Sequence, residues 1–304
     1  MAGINTNRTN INLPTDISNE VIQKTQESSA IMRLARRVNL PGRGVTIPVI
    51  TGDPEAAWVA ETGKKPVSNP TLTQKVLQAY KLAVIVPFSN EFRRDLPALY
   101  SAIVDRLPGA LALKFDQTVM GVGDKPGENF DNFNSATAQS LIPSSADDTT
   151  YNALVAAYAD IAAHNGVLNG WGLSPAAEGI LLGTVDSVGR PLFTPGVASN
   201  NLPQILGASV VTGRGLYKAG AAGVGTAAGT PAVVGVAGDW TQAVYGTVEG
   251  VRIDFADQTG LTIASEQVNL WEHNMFAVRA EIEVGFRADV DCFNRLLGAV
   301  PSAA

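Results

Sequence analysis

The stretch from Ala57 to Phe115 constrains the fold more than any other part of this 304-residue chain. It opens with a polar loop, Trp58-Val59-Ala60-Glu61-Thr62-Gly63-Lys64-Lys65-Pro66, continues as an alternating strand from Leu77 to Pro87, and passes at once into a long amphipathic helix. Such a loop is far longer than the usual connection of about 4–6 residues, and it is anchored by a two-residue period. An extension of this kind buries little of its own surface and is suited to touching another chain.

The helix that follows is capped by Ser89-Asn90 and repeats apolar residues at Phe92, Leu96, Leu99, Ile103, Leu107, Leu111 and Phe115. Pro97 is tolerated near its start. Pro108 lies in the interior, where it removes a backbone donor and crowds the preceding turn, so a bend is predicted there. Gly121-Val122-Gly123-Asp124-Lys125-Pro126-Gly127 ends the helix in a loop.

Upstream, Met1 to Pro14 is rich in Asn and Thr and reads as an extended arm. Thr15-Asp16 offers a cap for a helix ending near Arg37, Gly42-Arg43-Gly44 is a turn, and Val45 to Ile50 is a short strand whose Pro48 points to a sheet edge. Downstream, Thr149-Thr150 caps a helix closed by His164-Asn165-Gly166 in the pattern of a left-handed cap. Trp171 to Ser174 reads as a strand and Pro175 to Gly183 as a helix. Val210-Val211, Val233–Val236, Val251–Phe255 and Phe276–Phe286 read as strands, and the Gly/Ala run Ala219–Gly229 as a mobile loop. Helices and strands mix without regular alternation, which predicts an α+β fold.

Composition bounds the function. A chain with 45% hydrophobic residues can bury one large core or two smaller ones. Net charge is −6, with Lys and Arg scattered, so no cationic stripe is available to grip nucleic acid. A container whose contents must slide during loading fits that balance. The single cysteine, Cys292, lies among apolar residues and excludes an intrachain disulfide, in keeping with a reducing compartment. The N-terminus lacks the pattern of a signal peptide and no apolar run approaches about eighteen residues, so neither export by that route nor membrane spanning is expected.

Chemistry-bearing motifs are scarce. Of the two histidines, His164 sits at a helix C-terminus and His273 stands in Trp271-Glu272-His273-Asn274 without metal-ligand spacing. Gly121-Val122-Gly123 and Gly223-Val224-Gly225 do not join a strand to a helix and read as turns. There is no phosphate loop and no Gly-x-Ser-x-Gly elbow. No cofactor and no metal are expected. A soluble hydrolase assembled from distant residues stays open as a lesser reading.

The chain resembles the major capsid proteins of tailed bacteriophages, whose fold is shared with encapsulin shells. The resemblance runs from about Ile17 to Leu297. It rests on Ser29-Ala30-Ile31-Met32-Arg33-Leu34-Ala35 leading to a strand, the Trp58-to-Glu61 entry to the loop, and the Lys81–Glu91 strand entering the helix. It continues through Trp171-Gly172-Leu173-Ser174-Pro175, the segment Asp186 to Phe193, Leu206-Gly207-Ala208-Ser209-Val210 and Gly238-Asp239-Trp240. No one of these is specific, but their number and order are.

The resemblance implies an N-terminal arm, an extended β loop, a long spine helix, a peripheral domain and an axial domain. The boundaries expected are 1–47 for arm and first helix, 48–88 for the extended loop, 89–148 with 266–288 for the peripheral domain, and 149–265 with 289–304 for the axial domain. It implies a non-enzymatic subunit that assembles with itself, through hexamers and pentamers, into an icosahedral shell around double-stranded DNA. Such a subunit resides in the virion, is assembled in the host bacterial cytoplasm, and has scaffolding, portal and decoration proteins as further partners and no membrane. An encapsulin-like compartment enclosing protein cargo is the alternative. Because the arm begins almost at Met1, the expectation is a separate scaffold, no scaffold, or a chain that is already the mature product, the initiating Met disfavouring the last. Trp58, Glu61, Lys64 and Lys65 are the inter-subunit loop residues. Certain relatives also cross-link themselves, and the positions that match are Lys65 as donor, Asn274 as acceptor and Glu281 as assisting base. A neutral Lys65 amine would attack the Asn274 carboxamide, Glu281 would take its proton, and ammonia would leave. A surface charge ladder of Arg279, Glu281 and Glu283 is the plainer reading of Glu281.

Overall fold

The computed structural model describes residues 25, 28–41, 45–50, 72–90, 96–143, 149–185, 190, 191, 193, 204–223, 228–248, 252–263 and 266–301. In chain order, α1 (Ala30–Leu34) leads into β1 (Arg36–Asn39). Strands β2 (Val45–Ile50) and β3 (Leu72–Leu77) pair as a hairpin, and β4 (Tyr80–Ser89) precedes the long helix α2 (Leu96–Val119). Then come β5 (Thr137–Ser140), α3 (Thr150–Ala163), β6 (Gly170–Leu173), α4 (Pro175–Leu182), β7 (Gln204–Ile205), β8 (Ala208–Thr212), β9 (Val233–Gly238), β10 (Ala243–Thr247) and β11 (Arg252–Ala256). The hairpin of β12 (Gly260–Ile263) and β13 (Glu266–Asn269) is followed by the fourteen-residue β14 (Met275–Ala288) and by β15 (Phe293–Leu297).

Two sheets organise these elements. In the first, β14 is the common partner: β4 pairs antiparallel along its residues 275–284, β11 along 277–281 and β10 along 284–288, while β1 adds to β10 in parallel. The second is six-stranded and mixed, in the order β5-β15-β9-β6-β8-β7. The α+β reading holds.

Helix ends follow their capping chemistry. Helix α2 closes in a Schellman motif, with the Val122 amide on the Gln117 carbonyl (2.8 Å), the Gly121 amide on Thr118 (3.0 Å), and Gly121 at φ 78. Helix α3 repeats it at the predicted place: the Gly166 amide reaches Ile161 (3.0 Å) and Asn165 takes the left-handed residue, φ 59. The Thr149 and Ser174 hydroxyls cap α3 and α4.

Four expectations are corrected. The helix expected to run to Arg37 restarts at Ser29 and stops at Leu34, because the Ser29 hydroxyl accepts from the Met32 amide and Arg36–Asn39 pairs with β10. The strand expected from Leu77 to Pro87 breaks at Gln78-Ala79, for the steric reason given below. Ser89, expected as part of a helix cap, is the last residue of β4 and pairs with Met275; residues 91–95 lie outside those described. The Gly/Ala run is partly paired, since Ala221 and Thr230 exchange both backbone hydrogen bonds (3.0 and 2.8 Å).

The core is divided between the sheets. A central cluster around Phe115, Phe133, Trp240, Phe286 and Phe293 joins α1, α2 and the first sheet to one face of the second. A second cluster, with Trp171 at its centre, seals α3 and α4 onto the opposite face. A third packs Leu107 and Leu111 of α2 on Phe276, Val278, Ala280 and Ile282 of β14.

Candidate assembly surfaces

The two ends of the long loop meet in one socket. Gly246 of β10 and Gly285 of β14 are direct cross-strand partners, so both lack a side chain on the same face of the sheet. A Cβ at Gly285 would strike the Gln78 carbonyl, and one at Gly246 would strike Leu40. Into that notch settle Leu40, which follows β1, and Leu77, which ends β3; both are buried with Val244. The close approach of the Gln78 backbone to Gly285 is what divides β3 from β4.

A polar clamp fixes the loop root from the side. Arg287 donates through Nε to the Val76 carbonyl (2.9 Å), through one terminal nitrogen to Asp131 (2.8 Å) and through the other to Asn129 (3.3 Å). Asn129 in turn donates to Gln78 (3.1 Å), and its backbone amide donates to the Tyr80 hydroxyl (3.1 Å). The side chains of the Arg287–Asp131 pair are only 16% and 19% exposed, so it is less screened than a surface pair.

The outer face of β4-β14-β11 is a charged plate. Along β14, Phe276, Val278, Ala280 and Ile282 turn inward, while Arg279, Glu281 and Glu283 turn outward. Arg279 donates to Asp254 at 2.7 Å and lies 3.4 Å from Glu281; Arg252 lies 3.2 Å from Asp254, and Lys81 lies 3.7 Å from Glu283. The hydrogen bond from Arg279 holds the Asp254 carboxyl below its ordinary range. Glu281 is therefore a member of an ion-pair ladder.

Asn274 stands at the other end of β14, exposed, with φ 53. Its carbonyl accepts the Asn90 amide (2.9 Å) and its side-chain oxygen accepts from the Asn90 carboxamide (2.8 Å). Glu281 lies seven steps along the strand from it, a span of about 23 Å, so a single copy does not bring the two together. Lys65, Trp58, Glu61 and Lys64 lie outside the described residues. Pro108 is buried within α2, which is continuous across it.

Sequence reasoning missed Asp116. This carboxylate, 2% exposed, accepts from the Ser29 hydroxyl (2.5 Å) and the amides of Ala30 (3.0 Å) and Ile31 (3.4 Å), tying the start of α1 to the long helix. Burial pushes its pKa up from 3.8 to about 6 against the pull of those donors. Its place between the apolar Phe115 and Val119 in the helical period was the available signal.

The histidines serve the backbone: His164 Nδ1 lies 2.9 Å from the Asp160 carbonyl, and His273 Nδ1 lies 3.0 Å from that of Asn269. Among the described residues no group of three His, Cys, Asp or Glu could hold a metal, and no helix is long and apolar enough to cross a membrane. A depression of about 370 Å³ beside Arg33, Arg36, Asn169 and Thr241 contains neither histidine.

The model of the phage capsid family matches residues 10–289. The chain is 31% identical over 290 residues to a probable major capsid protein, gp17, of Mycobacterium phage L5, covering 90% of this chain and 85% of that one. It is 28% identical over 297 residues to the corresponding protein of Mycobacterium phage D29, covering 91% and 87%. Among solved structures, one from Mycobacterium phage Adephagia superposes with TM-score 0.69 at 20% identity, covering 91% of this chain and 92% of that one. Another, from Gordonia phage Cozz, gives 0.67 at 22%, covering 90% and 87%. These two structural likenesses cover at least 90% of the chain. The chain belongs to the phage capsid family, a structural family and not a family of enzymes.

Proposed function

We propose that this chain is the major capsid protein of a tailed phage, assembling through hexamers and pentamers into an icosahedral shell around double-stranded DNA and residing in the virion. Family membership supports the class. The observation that supports the mechanism is the socket: both ends of the long loop, Leu40 ahead of β2 and Leu77 at the end of β3, are seated on Gly246 and Gly285 while Arg287 holds the returning strand, an anchorage suited to a loop that reaches a neighbouring copy. Trp58, Glu61, Lys64 and Lys65 are the loop residues assigned to those contacts. A net charge of −6 suits a wall along which DNA slides.

The proposed division is arm and first helix 1–47, extended loop 48–88, peripheral domain 89–148 with 266–288, and axial domain 149–265 with 289–304. A bend of α2 at Pro108 lets the same chain fit five- and six-membered rings. Scaffolding, portal and decoration proteins are the proposed further partners, and the host cytoplasm the place of assembly. A Lys65–Asn274 cross-link assisted by Glu281 requires the groups from different copies, given the length of strand between the last two.

Negative-stain electron microscopy of the purified full-length protein tests the proposal. Hollow particles are the expected result, and a uniform small species with every scaffold present would sink it. Particles holding a protein cargo in place of DNA would move the chain to the encapsulin-like class. On a boiled detergent gel of the same particles, a ladder abolished by Lys65→Ala, Asn274→Asp and Glu281→Gln establishes the cross-link; monomer alone removes it.

A further inference from the structure

Helix α3 is apolar on both sides. Ala153, Leu154, Ala157 and Ile161 are buried against the six-stranded sheet. Outward stand Tyr151, Val155 and Tyr158, exposed by 44, 41 and 49%. Their spacing of i, i+4 and i+7 makes them a single stripe. Ala156, Ala159 and Ala162 fill the exposed positions beside it, and Asp160 is the only charged residue of the helix. A helix facing water normally turns a charged face outward, whereas one that is apolar all round is a covered helix. Depletion of charge with tyrosines at the centre is the composition of an interface core.

A second feature lies at the opposite edge of the same sheet. The β7-β8 turn is Leu206-Gly207, with Leu206 at φ 49 and 38% exposed. Bulky side chains rarely adopt a left-handed backbone, and a turn position of this kind favours Asn or Gly. Here the backbone holds an apolar side chain out from the tip. Gln204 to Ser209 carries no charge. Helix α3 packs over β5 and β15 at one end of the strand order, and β7 is the other end.

We infer that the α3 stripe of one copy is covered by the Leu206 edge of the next copy around a ring, an inference that rests on the shell reading above. Charge matching selects a second copy as the occupant. Identical subunits of net charge −6 repel one another, so they meet best where neither side adds like charge, and these two surfaces hold one charged residue between them. Two different faces at opposite edges make a heterologous contact, which closes into a ring when the rotation divides the circle. An apolar contact is non-directional and tolerates the change of angle between five- and six-membered rings.

The test uses full-length protein carrying Val155→Cys and Leu206→Cys together, each alone, and neither, with particles treated with a flexible bis-maleimide. Cys292 is buried, and the protein without added cysteines controls for it. The double variant is expected to give a ladder of covalent oligomers beyond the dimer, and each single variant monomer alone. Val155→Glu and Leu206→Asp are each expected to cut particle yield about tenfold or more while the subunit's thermal unfolding stays near that of the parent. Particles that form normally but show no ladder, or a dimer from Val155→Cys alone, overturn the inference, the latter by placing α3 against its own symmetry mate. Absence of particles from the parent protein strikes the shell reading itself, and this contact with it.

Discussion

Asp116 sets the balance between two opposing effects at a single residue. Burial disfavours its charge, while the Ser29 hydroxyl and two amides favour it, and burial prevails, with a pKa of about 6. Between about pH 4 and 6 the folded protein then binds more protons than the unfolded chain, so this group's contribution falls as pH rises through that window and is constant above it. Asp116→Asn removes the ionisation and keeps one of the two accepting oxygens. Its stability relative to the parent should therefore rise by on the order of 2–3 kcal/mol between pH 4 and pH 7, whatever the fixed cost of the lost acceptor. Thermal unfolding of the pair at the two pH values decides this, and parallel curves would refute it. Asp116→Ala, which strips the α1 cap of its acceptor, should lose about 1–3 kcal/mol at either pH.

Among the elements, the loop root depends on absent side chains as much as on present ones. Gly285→Ala forces the Gln78 carbonyl away from β14 and should cost about 1–3 kcal/mol, with faster protease cutting between residues 48 and 76 than elsewhere; unchanged cutting would mean that the socket does not hold the loop. Arg287→Lys should fail to rescue Arg287→Ala in the same assay, because one ammonium cannot span the Val76, Asp131 and Asn129 acceptors that the guanidinium fork reaches. On the long helix, Pro108→Ala restores the missing backbone donor and is expected to raise the unfolding temperature of the subunit. If the proposed bend matters, the same change lowers the yield of closed shells; normal yield would dismiss the bend.

For the whole molecule, folding and assembly are separable because the charged plate lies outside the core. Lys81 is 68% exposed at the side chain and its pair with Glu283 is long, so Lys81→Glu should change subunit stability by no more than about 0.5 kcal/mol. It adds two like charges to each copy's imbalance and is expected to suppress particle formation, read by electron microscopy beside a circular dichroism melt of the subunit. Loss of folding together with loss of particles would show that the plate stabilises the subunit and is not a contact surface.

The order of helices and strands was legible from the sequence because capping and periodicity are local. Thr149, Ser174 and His164-Asn165-Gly166 mark helix ends through bonds made within a few residues, and the alternation of β14 states which face is wet. The α+β class and the family followed from those signals in their order. Glu281 was readable as part of a ladder, since strand spacing alone puts Arg279, Glu281 and Glu283 on one face. The partners of that ladder, Asp254 and Lys81, were not, because they arrive through strand pairing. Nor were the Gly246–Gly285 socket, the Arg287 clamp, or the buried Asp116 holding a segment 86 residues away in sequence. These depend on register and close approach between distant segments, so no local pattern encodes them and only the tertiary structure decides them.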